Sequence, residues 1–211
     1  ARALDKMVQF YMQRPSTDIR SLAGGLSSRE NALIQQITPQ LGLSLPYFLY
    51  GEGNTRRRVA ILEAVAHYGL RLYGPEAWLK VTRDDSPLRG CFCGFIDYRN
   101  EFPVLSRSSS INLNVRSLQS LRSLNMRDYD VPLQGGFLLS EWVAGADSSF
   151  EPDKEMVFWQ GIDDLKKKIE WYLDRPEERE HIIQRGRERV FRDHTYDARA
   201  KQVMEILNQS F

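Results

Sequence analysis

The sequence predicts an α/β fold, in which a parallel sheet of about six strands is flanked by helices and preceded by an all-helical segment. Two observations predict it. In residues 46–211, short apolar runs alternate with amphipathic ones, which is typical of βαβ units. In residues 1–45, apolar side chains recur at helical spacing, as at Leu33, Ile34 and Ile37, and no strand is evident. We therefore divide the chain into a helical lead-in segment and an α/β domain.

Six apolar runs in the second segment predict its strands. They cover residues 46–50, 70–73, 91–96, 110–115, 137–140 and 156–159. Amphipathic runs predict helices over residues 56–68, 101–108, 163–173, from Pro176 onward, and 196–208. Six strands with intervening helices are typical of a Rossmann-like domain, whose usual strand order is 3-2-1-4-5-6.

The charge balance excludes several kinds of partner. Lys plus Arg number 29 against 28 Asp plus Glu, and the net charge of +1 gives no field suited to nucleic acid or an anionic membrane. No apolar run reaches the roughly 20 residues of a membrane span, and the N-terminus lacks the apolar core of a signal peptide. We expect a cytoplasmic protein. Because the chain starts at Ala1 in what reads as the middle of a helix, we also expect a domain fragment.

The two cysteines, Cys91 and Cys93, lie on one predicted strand. We expect no disulfide between them, a metal site at this position lacks further ligands, and no His/Cys cluster occurs elsewhere in the sequence. We expect buried, reduced thiols and no bound metal.

The predicted ligand site lies at the carboxyl ends of strands 1 and 4, where the strand order reverses. Gly51 and Gly53 would let backbone approach a ligand there, and a helix starting at Arg56 would offer free N–H groups to an anion. The alternative is that the three arginines from position 56 form a solvated helix face. The glycine spacing matches neither a dinucleotide fingerprint nor a phosphate loop.

The connection after strand 4, residues 116–136, carries the more specific pattern. Arg116, Arg122 and Arg127 supply cations, and Asp128 and Asp130 supply carboxylates. Arginine binds diphosphate oxygens through charge-assisted hydrogen bonds, and a carboxylate can accept ribose hydroxyls, so the mixture suits a nucleoside diphosphate. The alternative is a structural ion pair between Arg127 and a neighbouring aspartate.

The predicted site is completed by Asn114, Gly135 and Gly136. Asn112 and Asn114 share a face of strand 4 as core hydrogen-bonding groups or ligand contacts, and Asn114 is the better ligand candidate because it is nearer the crevice. Gly135 and Gly136 permit a tight exit from a short helix into strand 5. Pro132 places the start of that helix near Asp130.

An ordered series of segments resembles the C-terminal, donor-binding half of a GT-B glycosyltransferase, most closely the CgeB-like (spore-maturation type) group. The series is SINLN (110–114), MRDYDVP (126–132), GGFLL (135–139), FEPDKE (150–155) and HTY (194–196), followed by Arg199. It covers residues 46–211. The resemblance implies a nucleoside-diphosphate sugar as donor substrate, no cofactor, and no required metal. It assigns ribose binding to Asp130 and the diphosphate, less directly, to Arg127 and Arg56.

The sequence departs from that family in two respects. A second glutamate of the retaining enzymes would fall on Ser123, so no retaining mechanism carries over. GT-B enzymes also work between two Rossmann-like domains, and we expect the N-terminal one, with the acceptor site and any general base, to be missing here. No catalytic residue is assigned.

Two other functions remain open at this point. One is a non-catalytic module with the same fold, in which the lead-in helices and the last helix make protein contacts and the crevice is vestigial. A flavodoxin-like or receiver-type domain fits less well, because no acidic cluster follows the first predicted strand.

Overall fold

The computed structural model describes residues 27–37, 45–118 and 123–210, with six further positions: Asp5, Lys6, Val8, Gln9, Met12 and Pro39. The chain forms two compact units. The first draws on residues 1–94 and 116–121, and the second on residues 95–115 and 122–211. Among the predicted site residues, Arg122 lies outside the described part of the chain.

Most of the first unit is helical. Helix α1 spans Ser28–Ile37, and α2 spans Leu45–Val65, followed by a 3₁₀ turn over Ala66–Tyr68. The remaining elements are β1 (Leu72–Tyr73), α3 (Ala77–Val81), α4 (Leu88–Cys91) and β2 (Phe92–Gly94). Strands β1 and β2 pair in parallel, so the second and third predicted strands are present but shorter than predicted.

Helix α2 overturns the prediction of a first strand at 46–50 and a loop after it. Leu49 is fully buried whereas Tyr47 is 62% exposed, and Leu62 and Val65 continue the buried side of the same helix. A short apolar run fits a strand or a buried helical segment equally well, so the spacing of its apolar residues could not distinguish the two structures. The glycines at 51 and 53 suggested a break, but a helix tolerates each glycine at about 1 kcal/mol relative to alanine.

The two cysteines are free thiols at the end of the first unit. Cys91 is half-buried, and burial raises the pKa of its thiol. Cys93 is exposed, so the predicted burial is wrong there. The reason is the alternation along β2, in which Phe92 and Gly94 are half-buried and the residue between them faces solvent.

The second unit contains a three-stranded parallel sheet with the order β3-β4-β5. Its strands are β3 (Asn112–Asn114), β4 (Leu138–Glu141) and β5 (Val157–Trp159). Every residue of β4 and β5 is buried, as expected of a parallel sheet covered on both faces. The helices are α5 (Phe102–Ser108), α6 (Arg127–Leu133), α7 (Gly161–Leu173), α8 (Pro176–Asp193) and α9 (Tyr196–Ser210), with a 3₁₀ turn at Ala146–Ser148.

A core cluster joins the sheet to the helices of the second unit. It includes Val131 of α6, Leu138 of β4, Phe158 of β5 and Val190 of α8, all at most 4% exposed. Helix α6 therefore lies beside the sheet, and its position is fixed by packing from both strands and helices.

The described residues contain no single six-stranded sheet but two parallel sheets of two and three strands. The second predicted strand pairs with the third, and the fourth, fifth and sixth lie side by side. These strands are also neighbours in the predicted order 3-2-1-4-5-6. The predicted first strand, which would lie between them in that order, is part of α2. The architecture is mixed α/β and broadly Rossmann-like. Within its described helices, none is both long and apolar enough to cross a membrane.

Candidate functional site

A buried polar cluster fixes the start of α6 against the carboxyl ends of β3 and β4. Asp128 is fully buried, and its Oδ1 accepts a hydrogen bond of 2.5 Å from Ser140 Oγ. The backbone N–H of Asn125 donates to Asp128 Oδ2 at 2.7 Å. Because buried carboxylates are stable only when hydrogen bonded, these contacts define which way α6 faces.

Asn114 belongs to the same cluster. Its Nδ2 lies 3.2 Å from Asn125 Oδ1, from Asp128 Oδ1 and from Ser140 Oγ, and the residue is 1% exposed. Of the two predicted uses, the structure therefore shows the core hydrogen-bonding one. Asn112 likewise donates from Nδ2 to the carbonyls of Ser106 and Phe137, at 2.8 and 3.1 Å.

Arg127 and Asp130 lie on the other side of α6. Because they are three residues apart, Arg127 and Asp130 share one face of the helix. The buried face is formed by Asp128, Val131 and Pro132. Arg127 is exposed and Asp130 is half-buried. Among the described residues the Arg127 guanidinium forms no ion pair, so the predicted alternative of a structural pair with an aspartate is absent.

Tyr98 supports the Asp130 carboxylate. Its hydroxyl donates a hydrogen bond to Asp130 Oδ2, and its ring stacks on Phe102 with centroids 4.9 Å apart and planes 11° from parallel. Burial, followed by the hydrogen bond to the Asp130 carboxylate, raises the pKa of Tyr98 to about 12. The phenol therefore keeps its proton and acts as a donor at neutral pH.

Sequence reasoning missed Tyr98. The signal available was its place in the connection that follows β2 and precedes α5, since ligand-contacting residues concentrate in loops after parallel strands. What the sequence could not supply was the partner, because Tyr98 and Asp130 are 32 residues apart.

Gly135 and Gly136 make the predicted exit from α6. Gly135 has a φ of 80°, in the left-handed region, and donates to the Pro132 carbonyl at 2.9 Å. A Cβ on Gly136 would lie 2.5 Å from Ser106 Oγ and 2.6 Å from the Ser106 carbonyl oxygen. The second glycine is therefore required by close packing against α5.

The predicted residues of the first unit have other surroundings. Gly51, Gly53 and Arg56 lie inside α2, where backbone N–H groups are used by the helix itself, so the predicted loop and helix N-terminus are absent. Arg56 pairs with Asp5 at 2.9 Å and with Glu52 at 3.2 Å, and the hydrogen bond that its guanidinium donates to Asp5 is the main cause that raises the pKa of Arg56. Any ligand contact by these three residues stays a prediction.

Arg116 is fully buried, and its backbone carbonyl accepts a hydrogen bond of 3.1 Å from Arg57 Nη1. Burial lowers the pKa of Arg57, and the charge of Arg58 adds to this effect. The structure thus places Arg116 in the interior of the first unit, whereas Asn114, Arg127, Asp130, Gly135 and Gly136 belong to the second.

Comparison with protein families matches a glycosyl transferase-like family over residues 56–205, well over half of the chain. The chain belongs to this glycosyl transferase-like family. The match includes every predicted site residue except Gly51 and Gly53. No curated protein and no solved structure matches the chain significantly.

The end of this glycosyl transferase-like domain is held by His194. Its Nε2–H donates to the Ser149 carbonyl at 3.0 Å, and Nδ1 accepts a hydrogen bond of 2.8 Å from Arg199. The ring also packs against Tyr129 and Phe150, with centroids 5.1 Å away in both cases. Burial lowers the pKa of His194, so the neutral ring joins α8 and α9 to the rest of the unit.

Proposed function

We propose that the chain is the donor-binding domain of a glycosyltransferase of the GT-B type, and that it binds a nucleoside-diphosphate sugar on the Arg127–Asp130 face of α6. The family match supports glycosyl transfer. The observation that carries the donor site is the pairing of an oriented carboxylate, Asp130 held by Tyr98, with an arginine one helical turn away that has no ion pair among the described residues.

Each group has a proposed task. The Asp130 carboxylate has two oxygens, and Tyr98 occupies one lone pair of Oδ2, so acceptor capacity remains for the ribose hydroxyls. The Arg127 guanidinium would donate to the diphosphate, as charge-assisted hydrogen bonds favour. Holding the diphosphate with side chains is what the CgeB-like resemblance implies, and we propose that no metal is needed.

The face has the rigidity that such a site requires. Asp128, buried and bonded to Ser140 and to the Asn125 backbone, fixes the first turn of α6 to the sheet. Gly135 and Gly136 fix the other end against α5. Residues that bind a ligand tightly need supports of this kind, because a mobile side chain loses entropy on binding.

We place the acceptor site and any general base on a second Rossmann-like domain that completes the enzyme. This part of the proposal rests on the resemblance to two-domain GT-B enzymes. The base, the sugar, the acceptor and the stereochemical outcome belong to that complete enzyme, and a cytoplasmic location stays a prediction.

Calorimetric titration of the chain with UDP, GDP and ADP tests the donor site. We expect one of them to bind, and Arg127→Ala and Asp130→Ala each to weaken it by about 10- to 100-fold, since a hydrogen bond to a charged group contributes about 1.5–3 kcal/mol. Arg185→Ala and Asp147→Ala remove exposed charges elsewhere and should leave the affinity unchanged. Absence of binding by all three nucleotides, or equal binding by the α6 variants, would show that the donor site is not there.

One observation favours the alternative of a protein-contact module. Helix α9 exposes apolar side chains along its length, including Val203 at 55%, Met204 at 57% and Leu207 at 46%. If no nucleoside diphosphate binds, this surface becomes the better guide to function. The same titration therefore separates the two candidates.

A further inference from the structure

A pocket of about 400 Å³ lies beside β5 in the second unit, away from the residues assigned to the donor. Its walls include an aromatic pair and four polar side chains: Trp142, Asp153, Phe158, Gln160, Asp164 and Lys168. The volume falls within the range of about 300–1,000 Å³ that is common for small-molecule sites. None of Tyr98, Arg127 and Asp130 lines it.

The apolar wall of the pocket is rigid. Trp142 follows β4 directly, and its backbone N–H donates to the Trp159 carbonyl at 2.9 Å, which keeps it beside β5. Its ring meets the Phe158 ring edge to face, with centroids 5.3 Å apart and planes at 90°. The pocket therefore presents an indole whose orientation is set before any ligand arrives.

The positive charge in the pocket is already neutralised. Lys168 Nζ pairs with Asp164 at 3.3 Å and donates to the Phe158 carbonyl. The backbone N–H of Gln160 also donates to Asp164 Oδ2, at 2.8 Å. A phosphate or carboxylate would find no uncompensated cation here, so an anionic ligand is disfavoured.

Two polar side chains of the pocket have capacity to spare. The Asp153 carboxylate and the Gln160 amide form no hydrogen bond to any described residue, and both residues are exposed. Together they offer acceptors and a donor within the same pocket as the indole. Neutral hydroxyl groups are the partners that suit a carboxylate and an amide side by side.

The backbone of Asp153 adds an independent observation. Asp153 has a φ of 60°, and among the described residues it is the only non-glycine with a left-handed conformation. Its N–H donates to the Met156 carbonyl at 2.8 Å. Such a conformation is strained for a residue with a side chain, and strained residues concentrate at ligand sites. A glycine would relieve the strain, yet the residue that lines the pocket here is an aspartate.

We propose that this pocket is a second carbohydrate site, which takes a neutral hexopyranose ring. The C–H face of the sugar would pack on Trp142, and its hydroxyls would donate to Asp153 and bond to Gln160. The site goes beyond the proposed donor site and does not depend on it. The ring can come from a free sugar or from one unit of a glycan chain, which share this chemistry.

Titration of the isotope-labelled chain with methyl glycosides of glucose, galactose and N-acetylglucosamine, and with maltotriose and chitotriose, tests the proposal by NMR. We expect at least one probe to shift the Trp142 indole resonance with a dissociation constant on the order of 1 mM, typical of few-contact ligands. If a trisaccharide binds at least about tenfold more tightly than its monosaccharide, the natural ligand is a glycan chain. Equal affinity of the two would identify a single sugar as the ligand.

Variants separate this pocket from other surfaces. Asp153→Gly keeps the left-handed turn but removes the carboxylate, and with Gln160→Ala it should weaken sugar binding at least about tenfold while the fold is retained. Trp171→Ala removes an exposed indole elsewhere, and Asp130→Ala alters the donor site; both should leave sugar binding unchanged. The proposal is overturned if no neutral sugar shifts Trp142, if Asp153→Gly with Gln160→Ala binds as the wild type does, or if Asp130→Ala abolishes the binding. Nucleotide titration of the same samples reports on the donor site separately.

Discussion

The Ser140 hydroxyl donates a hydrogen bond of 2.5 Å to the Asp128 carboxylate, and both residues are fully buried. One comes from the middle of the three-stranded sheet and the other from the first turn of α6. Asn114, at the end of β3, bonds to both. This polar cluster, rather than apolar packing alone, orients the helix that carries Arg127 and Asp130.

Asp128→Ala should destabilise the second unit. The substitution leaves the Ser140 hydroxyl, the Asn125 N–H and one Asn114 contact without their acceptor, and each unsatisfied buried group costs about 1–3 kcal/mol. We expect the free energy of unfolding in urea to fall by about 3 kcal/mol or more. Asp147→Ala, at an exposed acid of the same unit, should change it by less than about 0.5 kcal/mol. A loss below about 1 kcal/mol for Asp128→Ala would contradict the role of the cluster.

Gly136→Ala should also destabilise, because its Cβ would overlap both the hydroxyl and the carbonyl oxygen of Ser106. Overpacking of this kind costs about 1–3 kcal/mol in the free energy of unfolding. Ser106→Ala should not rescue it, since the carbonyl remains. Gly51→Ala is the matched control, because its Cβ meets nothing within 4 Å on an exposed part of α2. It should stabilise by about 0.5–1 kcal/mol, and a loss of stability there would contradict a helix at that position.

The second unit was largely predictable from its sequence, because its elements have unambiguous patterns. Strands β3, β4 and β5 fall within a residue or two of their predicted bounds, and α8 begins at the predicted Pro176. The apolar runs there are bounded by glycine, serine and charged residues, and the three helices α7, α8 and α9 are amphipathic over three turns or more.

The first unit was less predictable for a physical reason. The run at 46–50 is followed by two glycines, and strand plus loop and continuous helix bury comparable apolar surface locally. Only contacts from distant parts of the chain decide between them. The same reason explains why the site was predicted only in part. The pattern of Arg and Asp was sufficient to locate α6, but the inward direction of Asp128 and the hydrogen bond between Tyr98 and Asp130 depend on residues far apart in sequence.

Stability should fall in mildly acidic solution because of His194. Burial, with the charges of Arg199 and Arg189 acting in the same direction, lowers its pKa in the folded state, although the Ser149 carbonyl and Asp193 oppose the shift. The unfolded chain therefore binds the proton first as pH falls through about 6.5, and the folded state loses stability from there down to its own lower pKa. Above that window the contribution is fully present.

Urea unfolding followed as a function of pH checks the role of His194. The wild type should lose stability between neutral pH and pH 5, and His194→Gln should be less stable at neutral pH but show a shallower slope. His181→Gln removes an exposed histidine of α8 and should keep the wild-type slope. An unchanged slope in His194→Gln would assign the acid sensitivity to other groups.

Tyr98→Phe should weaken nucleotide binding without removing it. The substitution keeps the stacking on Phe102 but deletes the hydrogen bond that orients Asp130, so we expect UDP or the preferred nucleotide to bind about 3- to 10-fold more weakly, as the loss of about 1 kcal/mol implies.

The pKa of Tyr98 near 12 exceeds the ordinary value of 10, so this phenol stabilises the folded state below pH 10, and its contribution disappears as the pH rises towards 12. Burial also raises the pKa of Tyr172 to about 12, so spectrophotometric titration should show two late-ionising tyrosines in the wild type and one in Tyr98→Phe. Tyr196→Phe, at a 94% exposed ring, should change neither affinity nor the late ionisation. If Tyr98→Phe binds nucleotide as tightly as the wild type while Asp130→Ala does not, Asp130 binds the donor without needing the tyrosine to position it.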